Sequence, residues 1–270
     1  MIKSEFHVHS VHCDGLDTLD ALAEEAIARG MTSLGFSSHA YTPVGLSEEY
    51  SILTRGAQDD YIADVKRVQA LYKDKIDLYL GTECDYFSVI DKAKYEYVIG
   101  SLHYTYKDGN FLSVDHSAEI SEEGVRRLFG GDFKEYVKNY YSIMADMVRK
   151  TGCDVIGHFD VVTKFNENQK YFDDTASWYL DCAFEAAYEL VKSGVLFEIN
   201  TGAMTRGLRT TPYPSRLIAD FIAKNGGKFI LNSDCHNKKN LMFAFDFAEK
   251  YYDGIEIIDY GEILKKKYKK

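Results

Sequence analysis

Apolar residues along this chain recur in two alternating rhythms: short runs of β character, and longer stretches where they return every three or four positions. The first run ends at Phe6-His7-Val8-His9. Asp17 or Thr18 then caps a helix whose apolar face is Leu19, Leu22, Ala23, Ala26 and Ile27, and Gly30 stops it. A strand over 32–39 ends in His39, and a helix reaches from about 60 to 72 with Ile62, Val65 and Val68 inward. Residues 76–80 alternate as a strand that leads into Glu83 and Asp85. The run 97–103 exits at His103, and 104–132 reads as a long functional loop with at most a short helix. A helix over 136–150, a strand ending at His158, a helix over 176–192 and a strand over 195–200 follow. Pro214 and Ser215 open another helix before the strand Phe229 to His236. A last helix, a short strand over 255–258 and a solvated lysine tail, Lys265 to Lys270, complete the pattern. Strand and helix alternate with no break in composition that would mark a linker, which predicts an α/β protein in one domain, residues 1–270.

The candidate chemistry lies at one end of these strands. His7 and His9 are two apart, so a strand would place both imidazoles on one face, about 6 to 7 Å apart along its axis, where they can share an ion. His39, Glu83, His103, His158, Asp234 and His236 then recur at the carboxyl ends of successive strands. In a β/α barrel those ends converge, and active sites of such barrels lie there. Of eight histidines only His12 and His116 fall elsewhere, in predicted loops. Asp14, in the turn Cys13-Asp14-Gly15, joins the set. Nine donors exceed what one four-coordinate ion uses, so two or three ions are expected, with Glu83 able to bridge a pair.

Composition narrows the classes. The 270 residues carry 32 basic and 42 acidic side chains, a net charge of −10, with no basic stripe in the body of the chain for a nucleic-acid backbone. No apolar run approaches a membrane span and no signal-peptide pattern opens the chain, so a cytoplasmic protein is expected. The five cysteines, Cys13, Cys84, Cys153, Cys182 and Cys235, form no Cys-X-X-Cys pair and read as reduced thiols.

The pieces His7-Val8-His9, Cys13-Asp14-Gly15, Ser38-His39, Gly81-Thr82-Glu83, Ser101-Leu102-His103, Gly157-His158-Phe159-Asp160 and Ser233-Asp234-Cys235-His236 span the chain from end to end. Together they resemble the PHP (polymerase and histidinol phosphatase) metallophosphoesterases. The stretches His9 to Asp14, Gly157 to Lys164 and Asn200 to Arg206 are most similar to the monofunctional histidinol-phosphate phosphatases of HisK type. The resemblance implies a distorted (β/α)7 barrel of TIM-like type with three divalent ions, zinc, iron or manganese. It implies that His7, His9, Glu83 and Asp234 hold one ion, that Glu83, His103 and His158 hold a second, and that Asp14, His39 and His236 hold a third. His12 is the competitor for the place of Asp14. The implied activity is hydrolysis of L-histidinol phosphate in L-histidine biosynthesis.

The residues suit that chemistry. Closely spaced ions generate hydroxide at neutral pH for attack on phosphorus and neutralise the phosphoryl oxygens. Arg206 and Arg209 are candidate phosphate clamps, Asn200 a further donor, and Asp160 a candidate acid for the leaving alkoxide beside Glu83 as the bridging carboxylate. Asp115 and Glu119 are candidates for the substrate's amine and imidazole. The expected partner is therefore a small phosphate monoester, with the oligomeric state open. Rival readings keep the site and change the substrate to a phosphotyrosine protein or a nucleotide, make the ions structural, or place amide or lactone hydrolysis on a similar barrel.

Overall fold

The computed structural model describes residues 2–43 and 55–268, so Lys269 and Lys270 of the expected tail lie outside the described residues. Seven parallel strands form the central sheet: β1 (Ser4–Glu5), β2 (Ser33–Phe36), β3 (Asp77–Asp85), β4 (Tyr97–Ser101), β7 (Val155–Ile156), β8 (Leu196–Asn200) and β9 (Phe229–Asn232). They neighbour one another in chain order, and a parallel bridge from Val8 to Cys235 joins the first edge to the last. This is the expected distorted seven-stranded barrel.

The closing seam depends on side chains as much as on backbone. Above β1 the ladder is ordinary, with His9 N–H donating to Cys235 O at 2.8 Å and Cys235 N–H to His7 O at 2.9 Å. Below it, Phe6 N–H donates to Asn232 Oδ1, and Ser233 N–H to Glu5 Oε1, both at 2.8 Å. The Ser233 hydroxyl donates to the same Glu5 oxygen, and Met242 N–H to Glu5 Oε2. Glu5 is completely buried; burial raises its carboxyl to about 7, and these hydrogen bonds offset that only in part.

Inside the barrel an apolar cluster of Phe6, Tyr79, Tyr97, Ile99, Val155 and Ile230 fills the floor. Tyr97 crosses it and donates to Phe6 O at 2.7 Å, with Phe36 O at 3.1 Å also in range. Gly35 and Gly81 make room: a Cβ on Gly81 would lie 2.1 Å from the Tyr97 ring, and one on Gly35 2.4 Å from its hydroxyl.

The structure differs from the sequence expectation in several places. The histidine-bearing ends are not strand: β1 stops at Glu5 and β7 at Ile156, so His7, His9 and His158 sit just beyond. There side chains replace the ladder, as Ser37 Oγ accepts Val8 N–H and Glu198 Oε2 accepts His158 N–H. The span 104–132 is not a loop. It folds into a hairpin, β5 (Tyr104–Lys107) and β6 (Asn110–Ser113), and a helix, α3 (Ala118–Phe129). Asp108 and Gly109 both take positive φ, the Asp-Gly hairpin turn, and Ser117 caps α3. The helix expected over 136–150 is two, α4 (Phe133–Met144) and α5 (Met147–Thr151), with Asp146 at the break bound by Tyr86 and Arg149. Residues 255–258 contribute only a bridge from Ile257 to Phe229. The lysine tail is a helix over Tyr260–Tyr268 that turns Tyr260 and Leu264 into the barrel floor while its lysines face water. Among the described residues no helix is long and apolar enough to cross a membrane.

Because the Tyr97 ring is enclosed, Gly81→Ala is expected to lower stability by about 1–3 kcal/mol through overpacking. Thermal unfolding measures it, and an unchanged melting temperature would contradict this packing.

Candidate metal centre

Glu83 reaches the mouth of the barrel from β3, the longest strand among the described residues, and five imidazoles converge on it. Its Oε1 has His158 Nε2 at 3.0 Å and His103 Nε2 at 3.2 Å. Its Oε2 has His39 Nδ1 at 2.9 Å, His7 Nε2 at 3.2 Å and His9 Nε2 at 3.3 Å. Asp234 Oδ1 lies 3.2 Å from His9 Nε2 and 3.6 Å from His7 Nε2. Asp14 stands on the outer side, with Oδ2 at 3.1 Å from His236 Nε2 and Oδ1 at 3.4 Å from His9 Nδ1 and 3.7 Å from His39 Nε2. The turn that presents Asp14 folds tightly back on the first histidine pair, since a Cβ on Gly15 would lie 2.4 Å from Ser10 N.

The nine expected donors therefore stand together. Ligand atoms within 4.8 Å of one another form the sets His9, Asp14, His39, His236; His7, Glu83, His158; His7, His9, Asp234; and His39, Glu83, His103. His103 and His158 both approach Oε1 of Glu83 but fall in different sets, His103 with His39 and His158 with His7, while His9 belongs to two sets. His12 turns away to Asp64, 2.9 Å from its carboxylate, and takes no part. His116, placed by sequence in a remote loop, lines the cavity but belongs to none of the sets.

These donors fit a cation. His7 Nε2, His9 Nε2, Asp14 Oδ1 and Glu83 Oε2 are buried without a hydrogen-bond partner, and they face one another. Three carboxylates among six imidazoles suit a divalent transition metal. Electrostatics agree. Burial alone would raise the Glu83 carboxyl, but His7, His39 and His103 outweigh it and hold it well below the usual range. Burial works against charge on His7, yet Glu198, Glu83 and Asp234 hold it well above its ordinary value. Burial, then the neighbouring His236 and His39, depress His9 to about 3, so it is a neutral ligand.

A surrounding set of groups orients the ring nitrogens, and the sequence reading missed its main member. Glu198, completely buried on β8, accepts from His7 Nδ1 at 2.6 Å, which leaves Nε2 free to face Glu83. It also accepts from Asn232 Nδ2, Asn200 Nδ2 and His158 N–H. The signal was present: a charged side chain inside an apolar strand of a barrel, alternating with Asn200. Asp85 Oδ2 accepts His103 N–H at 2.8 Å and lies 3.4 Å from its Nδ1. His236 Nδ1 donates to Asp234 O at 2.8 Å. That nitrogen then has no lone pair for Arg206, whose Nη2 lies 3.1 Å away, so the contact leaves the guanidinium free for an anion.

A cavity of about 460 Å³ opens over the cluster, with Leu16, Tyr104, Asp115, Lys164, Arg206 and Tyr213 in its walls. Of the other expected site residues only Arg206 and Asp115 line it. Lys164, for which sequence suggested no role, bonds Asp115 O at 2.7 Å and its carboxylate at 3.1 Å. Glu119 is exposed on α3. Arg209 is turned into the protein, donating to Thr163 O at 2.9 Å with Glu167 at 3.4 Å. Asn200 is spent on Glu198 and Gly202 N–H. Asp160 is fully buried behind the wall, accepting Ser215 N–H at 2.9 Å, and burial raises it to about 6.

Known proteins resemble this chain in sequence and in fold. The PHP domain profile matches residues 5–202. A Schizosaccharomyces pombe protein named a probable histidinol-phosphatase is 25% identical over 270 residues, covering 92% of this chain and 85% of its own. The crystal structure of HisK from Listeria monocytogenes superposes with a TM-score of 0.80 at 19% identity, over 91% of this chain and 99% of that one. Histidinol phosphate phosphatase from Lactococcus lactis, solved with zinc, L-histidinol and phosphate, gives a TM-score of 0.68 at 21% identity, over 95% of each chain.

Glu198→Gln is expected to cost 10- to 100-fold in metal affinity, since its amide would point N–H groups at donors and release His7. Metal content after dialysis against a graded chelator measures it, and unchanged retention would contradict the orienting role.

Proposed function

The chain belongs to the PHP domain family, and on that premise we propose that it hydrolyses L-histidinol phosphate to L-histidinol and inorganic phosphate. The observation that carries this reading is the buried Glu83 carboxylate shared by five imidazoles at the base of a cavity sized for a small ester. Relatives named histidinol-phosphatases align along most of the chain. Residues 1–270 act as one domain in this reading.

Three divalent ions, zinc, iron or manganese, would be held as follows. His7, His9, Glu83 and Asp234 hold the first, Glu83, His103 and His158 the second, and Asp14, His39 and His236 the third. The chemistry such ions supply is activation of water and neutralisation of phosphoryl charge. The chain's own groups do the rest. Glu83, with Oε1 facing His103 and His158 and Oε2 facing His7, His9 and His39, would offer one oxygen to each of two neighbouring sites. Glu198 and Asp85 keep the imidazole faces aimed inward. Arg206, without an acceptor at His236, turns its fork to phosphoryl oxygens. Lys164 brings a second cation to the wall, held by Asp115, which draws Asp115 away from the substrate's amine. Asp160, buried behind the wall with Oδ2 bonded to Ser215 N–H, does not line the cavity and so stands back from the leaving group.

A second substrate class, phosphotyrosine in a protein, is less well matched to a cavity of about 460 Å³. Phosphate release from L-histidinol phosphate, p-nitrophenyl phosphate and a phosphotyrosine peptide, with metal content measured on the same sample, decides between them. The expected result is a preference for L-histidinol phosphate of at least about 100-fold in kcat/KM, and a loss on Glu83→Ala of about 100- to 1000-fold or more, the scale of one preorganised electrostatic group. Equally poor turnover of all three by fully metallated protein would contradict the substrate assignment.

A further inference from the structure

Two segments of the cavity wall each carry a cation. Residues 160–167 present Val161 and Lys164 to the cavity, and residues 201–213 present Ala203, Arg206 and Leu208. Behind them, where the two segments meet, lies Arg209, only 8% exposed. Its Nη1 donates to Thr163 O at 2.9 Å, and its Nε lies 3.4 Å from Glu167 Oε2. The other oxygen of Glu167 accepts from the Thr210 hydroxyl at 2.6 Å and from Thr210 N–H at 3.3 Å. The guanidinium also packs over the Tyr213 ring, 5.7 Å from the centroid. One side chain thus ties the carbonyl that precedes Lys164 to the segment that carries Arg206.

Arg206 itself lacks such a hold. It is exposed, next to Gly207 at a φ of 67°, and its fork meets His236 Nδ1, which donates to Asp234 O and offers no lone pair. Its direction is therefore set by the backbone on either side. On the amino-terminal side Thr201 N–H donates to Asn232 O at 3.0 Å, and Leu208 N–H turns back to Ala203 O at 3.1 Å. On the carboxyl-terminal side the next fixed points are Arg209 and Thr210. A bend held at one end only lets a long side chain swing, and a misplacement of about 1 Å is enough to cost about 100-fold in rate.

We propose that Arg209 is a positioning residue: it clamps the two wall segments together and thereby aims the Arg206 guanidinium at the phosphoryl oxygens of the bound ester. This rests on the phosphatase reading above and on the place it gives Arg206. The planar fork suits the task better than an ammonium would, since it meets two acceptors of one segment in a fixed geometry.

Arg209→Met keeps the stem against Tyr213 and removes the fork. In the metallated enzyme it should lower kcat/KM for L-histidinol phosphate about 10- to 100-fold. Inhibition by orthophosphate should weaken by a comparable factor, with metal content unchanged. A residue that acts through Arg206 has nothing left to aim once Arg206 is gone. The same substitution in an Arg206→Ala background should therefore change kcat/KM by less than about 2-fold. Glu167→Ala loosens the clamp from its partly exposed side. It should give a smaller loss, about 3- to 10-fold, with the same dependence on Arg206, and it decides the matter if Arg209→Met fails to fold. Unchanged kinetics, a loss of equal size in both backgrounds, unchanged orthophosphate inhibition or a loss of metal would each overturn the assignment. If the wild type neither cleaves any phosphate ester nor binds orthophosphate, the phosphatase reading itself fails, which is a separate result.

Discussion

A buried carboxylate surrounded by imidazoles is unstable unless something positive compensates it. Glu83 is 1% exposed, and its two oxygens are approached by five histidines from four different segments of the chain. Without cations the positive charge must sit on the imidazoles: against the effect of burial, the neighbouring carboxylates hold His7, His39 and His103 above the ordinary histidine value. With cations the same atoms become ligands, and their partnerless nitrogens and oxygens are satisfied. The barrel exists in its particular form because these groups must meet at one point.

That requirement explains the irregular strand ends. A regular parallel ladder would carry His7, His9 and His158 along at fixed pleat spacing. Instead the ladder stops early at β1 and β7, and polar side chains from neighbouring strands take over its hydrogen bonds. Ser37, Glu198, Asn232, Glu5 and Asp85 each accept or donate where a strand partner would otherwise stand. Glu198 does both jobs, binding the His158 backbone and the His7 ring, so fold and site share one carboxylate. Beneath them Tyr97, admitted by Gly35 and Gly81, gives the cluster a rigid floor.

Much of this was legible in the sequence. The recurrence of histidine or acid after each apolar run placed nine residues in one site, because strand order and barrel closure bring strand ends together regardless of exact boundaries. Asp14, not His12, faces the cluster, a choice made by the turn at Gly15 and by the pull of Asp64 on His12. Periodicity misjudged 104–132 because a short hairpin and a polar amphipathic helix look like loop when read one residue at a time, although Asp108-Gly109 was a turn signal. The lysine tail misled for a similar reason: three charges in a row hid Tyr260 and Leu264 on the opposite face. Arg209, Asn200 and Asp160 have the right chemistry in the right loops, but side-chain direction decides their partners, and one-dimensional spacing does not contain it.

The central claim is that Glu83 bridges metal ions at the mouth of the barrel. Anomalous diffraction from crystals of the protein as purified, collected on either side of the zinc, iron and manganese edges, tests it most directly. The account predicts peaks within about 2.0–2.2 Å of Glu83 oxygens and the facing imidazole nitrogens, with the two Glu83 oxygens serving different ions. A cluster without anomalous signal, in which the histidines donate directly to Glu83 and Asp234, would contradict it.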